Sequence, residues 1–224
     1  MSLAPIQYRP PRASQRPLLP TARCAGIFVA VEGPIGVGKT TLARLLAEHL
    51  PAELVLEVVE ENPFLHHFYE DIRSYAFQTQ IFFFLSRYRQ QEAIRRQRDE
   101  GLSLVSDYVF AKDRLFARMN LDEHEQDLYD RLFALIAPMT VQPDLVVYLT
   151  ASLDTLLRRI AHRDRSFERH LEPSYLDRLC STYEDFFASY DETALLTVDS
   201  DEVDIFTEQD LAEILRYVSE AVAK

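Results

Sequence analysis

Cysteine appears only twice in the 224 residues, as Cys24 and Cys180, which excludes a disulfide framework. The six histidines add no metal-ligand spacing, alone or with those thiols. No apolar run approaches the ~18 residues that a membrane-spanning helix needs. Positive charge is short as well: 24 Lys and Arg face 36 Asp and Glu, a net charge of −12. A long nucleic-acid groove rewards a positive face, so a nucleic-acid polymer is disfavoured as a partner. Small phosphorylated ligands need only local positive charge and remain open. Together these absences point to a reducing, cytoplasmic setting away from membranes.

Glycine is scarce too, with five in the chain, yet three crowd into Gly33-Pro34-Ile35-Gly36-Val37-Gly38-Lys39-Thr40-Thr41. This is the phosphate-loop pattern of Gly, four residues, then Gly-Lys-Ser/Thr. Ile27 to Val31 is an apolar, β-branched run that reads as a buried strand. Leu42, Leu45, Leu46 and Leu50 then recur at helical spacing. Glycines let the backbone turn its N–H groups toward an anion, and the following helix aims its N-terminal partial positive charge at the same point. Lys39 would reach the outer phosphates, and the Thr40 hydroxyl would help hold Mg²⁺. A glycine turn that ends in Lys-Thr by chance would not account for both flanks. Residues 33–41 are therefore read as an ATP site.

With 47% hydrophobic and 27% charged residues, the chain has the balance of one globular domain. Residues 1–25 stand apart, with five prolines, four arginines and no acid. They read as a flexible, basic, Pro-rich arm outside the fold, without the amphipathic pattern of a transit peptide. Residues 26–224 form the domain. Strands are expected at Ile27–Val31, Leu54–Val59, Leu102–Ser106, Leu145–Leu149 and Leu195–Val198, with helices between them, the longest from about Ser74 to Arg98. The last helix follows Thr207 as N-cap, with Asp210 three residues on and an apolar stripe of Leu211, Ile214, Leu215, Val218 and Val222. This alternation predicts an α/β class: a three-layer P-loop NTPase fold of the nucleoside/nucleotide kinase type, its central parallel sheet flanked by helices.

A phosphate loop alone does not choose a reaction. No Asn-Lys-x-Asp segment is present, as a GTPase would need, and no apolar strand ends in Asp-Glu, as in motor or transport ATPases. The strand ending at Ser106 instead delivers Asp107 at the edge where ligands bind in open parallel sheets. Asp107 can hold Mg²⁺, take a substrate proton, or cap the following helix. Arg158, Arg159, Arg163 and Arg165 form either a lid that places positive charge on a transferring phosphoryl group or a solvated helix face. The run Arg163-Asp164-Arg165 falls where the helical pattern weakens, which favours the lid. Glu57, Glu60 and Glu61 end the second strand on the phosphate-loop edge, where a carboxylate can accept a proton from an attacking hydroxyl. Gln80, Phe84 and Arg87, at i, i+4 and i+7, share one helix face. Gln80 and Arg87 have the donors and acceptor to read a nucleobase edge, although spacing alone favours the polar margin of a core helix.

The stretches GPIGVGKTT, ENPFL with FYED, QIFFFLSRYRQ, SDYVFAKD and RRIAHRDRSFE, in this order and spacing, resemble the deoxynucleoside kinase family. The resemblance runs from Ile27 to the C-terminus and is strongest to the bacterial deoxyguanosine/deoxyadenosine kinase branch. It implies Mg²⁺-dependent transfer of the γ-phosphoryl of ATP to the 5′-hydroxyl of a deoxynucleoside. Glu57 then corresponds to the carboxylate that activates this hydroxyl, with Glu60 the competing position. Tyr69 and Glu168 match residues on the sugar 3′-hydroxyl, Gln80 and Arg87 the base-reading pair, and Asp113 the acid that assists them. Arg159, Arg163 and Arg165 match the lid, and Asp107 the acidic residue near the metal. Many relatives carry Arg after the Asp107 position, whereas this chain has Tyr108, and Lys112 one helical turn later is the candidate for the missing charge. The Asp-Tyr arrangement resembles bacterial deoxyguanosine kinases, so deoxyguanosine is expected ahead of deoxyadenosine. Family analogy also implies a homodimer through the long helices.

Two other readings compete. A nucleoside monophosphate kinase, such as a thymidylate kinase, needs positive charge around its acceptor's phosphate. Glu57, Glu60, Glu61, Glu70 and Asp71 would repel it. A nucleotide-gated regulatory module would hydrolyse ATP slowly without an acceptor product.

Overall fold

The computed structural model describes residues 4–10 and 26–222, so most of the arm, including Cys24, lies outside the described residues. At the centre, β2 (Phe28–Glu32) is buried at every position, as an apolar strand must be when helices cover both sheet faces. It runs parallel to β4 (Leu104–Ser106) on one side and β5 (Leu145–Thr150) on the other. β3 (Glu53–Val55) continues the sheet past β4, and β6 (Ala194–Asp199) continues it past β5. Chain order reverses at β2, and the crevice at its C-terminal end is where open parallel sheets bind ligands.

The sheet is mixed rather than wholly parallel. Ile6–Arg9, expected to lie outside the fold, forms edge strand β1 antiparallel to β6, giving the order β1-β6-β5-β2-β4-β3. Burial alternates along it, with Ile6 buried and Gln7 exposed. Pro5 and Pro10 flank the strand instead of interrupting its pairing, and the Pro5 carbonyl still accepts the Asp199 N–H at 2.9 Å. Arg9 anchors the strand by donating to the carbonyls of Phe187 and Ala188. Only four residues carry the alternating pattern, too few to stand out among prolines.

The other expected strands appear with shifted ends, and the second is shorter than expected. β3 stops at Val55 because its partner β4 stops at Ser106. The freed stretch from Leu56 to Val59 drops into the crevice instead. The helices are α1 (Lys39–His49), a single turn α2 (Leu65–Phe68), the long α3 (Ile72–Asp99), α4 (Lys112–Asn120), α5 (Glu123–Ile136), α6 (Leu153–Arg163), α7 (Pro173–Ser189) and α8 (Glu208–Val222). The Thr207 hydroxyl does cap α8, accepting the Asp210 N–H at 3.2 Å. Among the described residues no helix is long and apolar enough to cross a membrane.

Candidate active site

The phosphate loop leaves β2 and enters α1. Gly36 and Gly38 adopt φ values of +85° and +111°, where a side chain would be strained. A Cβ on Gly36 would also stand 2.7 Å from Ile160 of α6. Pro34 and Val37 are buried under the loop, while Ile35 lines the cleft and Thr41 is half-buried on α1. α1 begins without a side-chain cap or a first-turn acid, unlike α3, α5 and α6, which Asp71, Asp122 and Ser152 cap. Its first N–H groups are thus left for an anion. Lys39 Nζ donates to the carbonyls of Gly33 and Pro34 at 2.8 and 3.0 Å. Burial pushes this ammonium down to about 8, although Glu32, Glu57 and Asp107 oppose the shift.

Asp107 joins the two halves of the cleft. One oxygen accepts the Thr40 hydroxyl at 2.6 Å and the other accepts the Glu57 N–H at 2.7 Å. It does not cap the next helix, because α4 begins at Lys112 behind Ala111.

Beside Asp107, Glu57 is gripped by two cations. Its Oε1 accepts Arg87 Nε at 2.8 Å and also Arg87 Nη2, and its Oε2 accepts Lys112 Nζ at 2.9 Å. Burial alone would raise the Glu57 carboxyl, but Arg87 and Lys112 outweigh it and hold the group at about 2. Arg87 also donates to Asp113 Oδ2 at 2.7 Å. Its own pKa is raised because the two carboxylates overcome burial. Asp113 shifts upward, since full burial outweighs Arg87. It also accepts the Tyr129 hydroxyl at 3.0 Å and the Gln80 amide.

Three of the five Arg87 N–H groups are therefore spent on Glu57 and Asp113. Arg87 is first a clamp for these acids, which the base-reading expectation did not include. The aromatic residue that faces the cleft beside Gln80 and Arg87 is Phe83, with Phe116 also lining it. Phe84 turns away to pack on Phe110, Tyr129 and Phe133. Spacing i, i+3, i+7 describes this face better than i, i+4, i+7. Of the competing acids, Glu57 is the inner one at 12% side-chain exposure, whereas Glu60 is 75% exposed at the rim.

Helix α6 ends at Arg163, and Asp164 turns the chain with φ +47°, so Arg163 and Arg165 reach the cleft. Arg163 donates to Glu168 Oε1 at 2.5 Å, and Arg165 pairs with Glu60 at 3.9 Å. Among the described residues, the second Glu168 oxygen is buried without a hydrogen-bond partner. Tyr69 lines the same region and packs edge-on against Tyr175. Arg159 does not line the cleft. It braces the loop from behind, donating to the carbonyls of Val37 at 2.9 Å and Ser200 at 3.0 Å. Arg158 bonds Thr155 one turn back.

The resulting cleft, about 590 Å³, is continuous from Gly38, Lys39 and Thr40 through Glu57 to Gln80 and Glu168. An anion cradle, an oxygen pair, an inner carboxylate and an aromatic pocket share this one space. The sequence reading missed Glu32, the last residue of β2, which is fully buried behind the loop. Its only sequence signal was a lone acid at the end of an apolar strand.

The chain is similar to known proteins over most of its length. The family model described as deoxynucleoside kinase matches residues 29–223. The deoxyguanosine kinase of Bacillus subtilis (strain 168) is 37% identical over 201 residues, covering 87% of this chain and 97% of that protein. The deoxyadenosine kinase of Lactobacillus acidophilus is 33% identical over 208 residues, covering 86% and 94%. The structure of deoxyadenosine kinase from M. mycoides with bound dATP superposes with a TM-score of 0.74 at 25% identity, over 86% of this chain and 99% of that one.

Proposed function

The chain belongs to the deoxynucleoside kinase family, and on that premise we propose that it phosphorylates the 5′-hydroxyl of purine deoxynucleosides, deoxyguanosine ahead of deoxyadenosine, from ATP. The observation that carries the reading is Glu57, held by Arg87 and Lys112 within the same cleft as Lys39 and Thr40. The acceptor oxygen attacks the γ-phosphorus and its proton passes to Glu57. The bond from that phosphorus to the bridging oxygen breaks, and its electron pair leaves on ADP. A carboxylate held near 2 is a weak base, which suits a loose transition state whose proton moves late. Arg87 and Lys112 keep Glu57 ionised and aimed. Arg163 and Arg165 supply charge from the lid side, and Arg159 keeps the loop in place for them.

Thr40 and Asp107 offer adjacent hard oxygens that fit Mg²⁺. Among the described residues no group of three or more His, Cys, Asp or Glu could hold a metal alone, so phosphate oxygens and water would complete the shell. The ion would neutralise charge on the phosphates. On the sugar, Tyr69 and the free Glu168 oxygen suit the 3′-hydroxyl. On the base, Gln80 and Arg87 form the polar edge between Phe83 and Phe116, and the buried Asp113, which does not line the cleft, holds both of them from behind. Lys112 supplies the charge that Tyr108, buried in the core, does not. The preference for guanine rests on the Asp107-Tyr108 arrangement and on the bacterial deoxyguanosine kinase likeness. The product is a deoxynucleoside monophosphate, so the enzyme would act in purine salvage in the cytoplasm. Exposed Leu85, Leu128 and Leu135 on α3 and α5 suit a homodimer interface, testable by light scattering.

The test is a panel with Mg²⁺–ATP and deoxyguanosine, deoxyadenosine, deoxycytidine, thymidine or thymidine monophosphate, each product identified by mass. A purine 5′-monophosphate supports the proposal. Product only from thymidine monophosphate would move the chain to monophosphate kinases, and ADP without an acceptor product would favour a regulatory ATPase.

A further inference from the structure

Each cation that grips Glu57 also has a second acid. For Arg87 it is Asp113, at 2.7 Å. For Lys112 it is Glu32, whose Oε2 lies 3.7 Å from the ammonium, against 2.9 Å for Glu57 Oε2. Glu32 is fully buried and Lys112 is 3% exposed. The rest of the Glu32 carboxylate is tied to three elements. Oε1 accepts the Gly33 N–H at 2.8 Å and the Tyr183 hydroxyl at 3.0 Å, and Oε2 accepts the Val109 N–H at 2.9 Å. The first N–H of the phosphate loop and the ammonium on the acceptor carboxylate thus share one anion. A carboxylate removed from water is costly unless fully paired, and this one is paired on both oxygens.

We propose that Glu32 is a positioning residue for phosphoryl transfer, giving Lys112 a second seat so that Lys112 can release Glu57 to the acceptor hydroxyl. A lysine ammonium carries three donors on a flexible stem and needs no fixed fork geometry, so it can lean from one carboxylate to the other within its buried site. Without Glu32, every loosening of Lys112 from Glu57 leaves a buried cation unpaired, and Glu57 stays locked. Because Glu32 also bonds the loop, the seat keeps its distance from the nucleotide cradle. The inference rests on the reading that Glu57 receives the hydroxyl proton.

A double-mutant cycle tests it. Glu32→Gln, Lys112→Met and the double variant would be compared with the wild type for kcat, for KM of ATP and deoxynucleoside, and for thermal stability. Glu32→Gln should lower kcat about tenfold or more while both KM values stay within about threefold. In the Lys112→Met background the same change should cost less than about threefold, because the group it served is gone. Equal losses in the two backgrounds, or a loss confined to KM, would overturn the proposal and leave Glu32 a structural residue. Should Glu32→Gln not fold, Glu32→Asp keeps the charge but draws it back from Lys112. Its kcat loss should likewise vanish in the Lys112→Met background, and an equal loss in both would refute the role. A wild type that makes no nucleoside monophosphate would overturn the reading beneath this one, whereas an active wild type with additive losses overturns this one alone.

Discussion

Glu57→Gln is the sharpest perturbation of this site, because it keeps the shape of the side chain while removing its charge and one of its two acceptor oxygens. The carboxyl moves from an ordinary 4.5 to about 2, which at about 1.4 kcal/mol per pH unit corresponds to about 3–4 kcal/mol of preference for the ionised form. A second route gives a similar figure: removing one partner of a buried ion pair costs about 3–5 kcal/mol. Glutamine would also turn an NH₂ toward Arg87 or Lys112, setting donor against donor. For a domain of this size, about 3 kcal/mol lowers Tm by about 6–12 °C. The pH dependence follows from the downward shift. Glu57 contributes its stability above the unfolded value of 4.5 and loses it as pH falls toward about 2. The Tm gap between wild type and variant should therefore be full at pH 7 and narrow steadily below pH 4.5. Loss of the proton acceptor should lower kcat by about 10²–10⁴-fold with ATP affinity retained. Scanning calorimetry from pH 7 to 3 and a product-mass assay read both effects. A variant with kcat within about threefold of wild type and an unchanged Tm would refute the reasoning and shift attention to Asp107 or Glu60.

Lys39→Met should abolish turnover yet raise the Tm of the unliganded protein, because burial holds this ammonium near 8 against an ordinary 10.5. The penalty for charged Lys39 is full below pH 8 and disappears as pH rises through 10.5, so the advantage of methionine should fade in that window. Glu168→Gln should raise KM about tenfold for a deoxynucleoside by weakening a charged hydrogen bond to the 3′-hydroxyl. It should leave a 2′,3′-dideoxynucleoside unchanged, and equal effects on both would remove Glu168 from the sugar. Chelation of Mg²⁺ should stop turnover. Thr40→Val and Asp107→Asn should each raise the Mg²⁺ concentration that supports half-maximal rate, measured by titration at fixed ATP.

The contrast between legible and illegible parts of this protein follows sequence distance. The phosphate loop, the five parallel strands, the long helix and the turn at Arg163-Asp164-Arg165 are written in short stretches. There, glycine spacing, apolar period and capping residues act on their immediate neighbours. Glu57 and Asp107 at strand ends and Gln80 on a helix face could be named as candidates from local facts of residue type and position, whereas Glu168 came only from the family resemblance. Their partners were not local. Arg87 meets Glu57 across 30 positions and Asp113 across 26, and Glu32 meets Tyr183 across 151. No period or spacing in the chain encodes those meetings.

The same division explains the shifts in detail. Helical spacing placed Phe84 beside Gln80 and Arg87, and only packing against Phe110, Tyr129 and Phe133 chose Phe83 for the cleft. Strand propensity ran from Leu54 to Val59, and the short partner β4 ended it at Val55. Four residues between prolines gave no strand signal, yet the open edge of β6 recruited them as β1. By itself the sequence determined that an anion cradle sits between a buried strand and a helix, since that geometry is local backbone physics. Tertiary structure alone decided which carboxylate is held by which cation. Coulomb forces between buried groups depend on their distance in space, and the fold sets that distance.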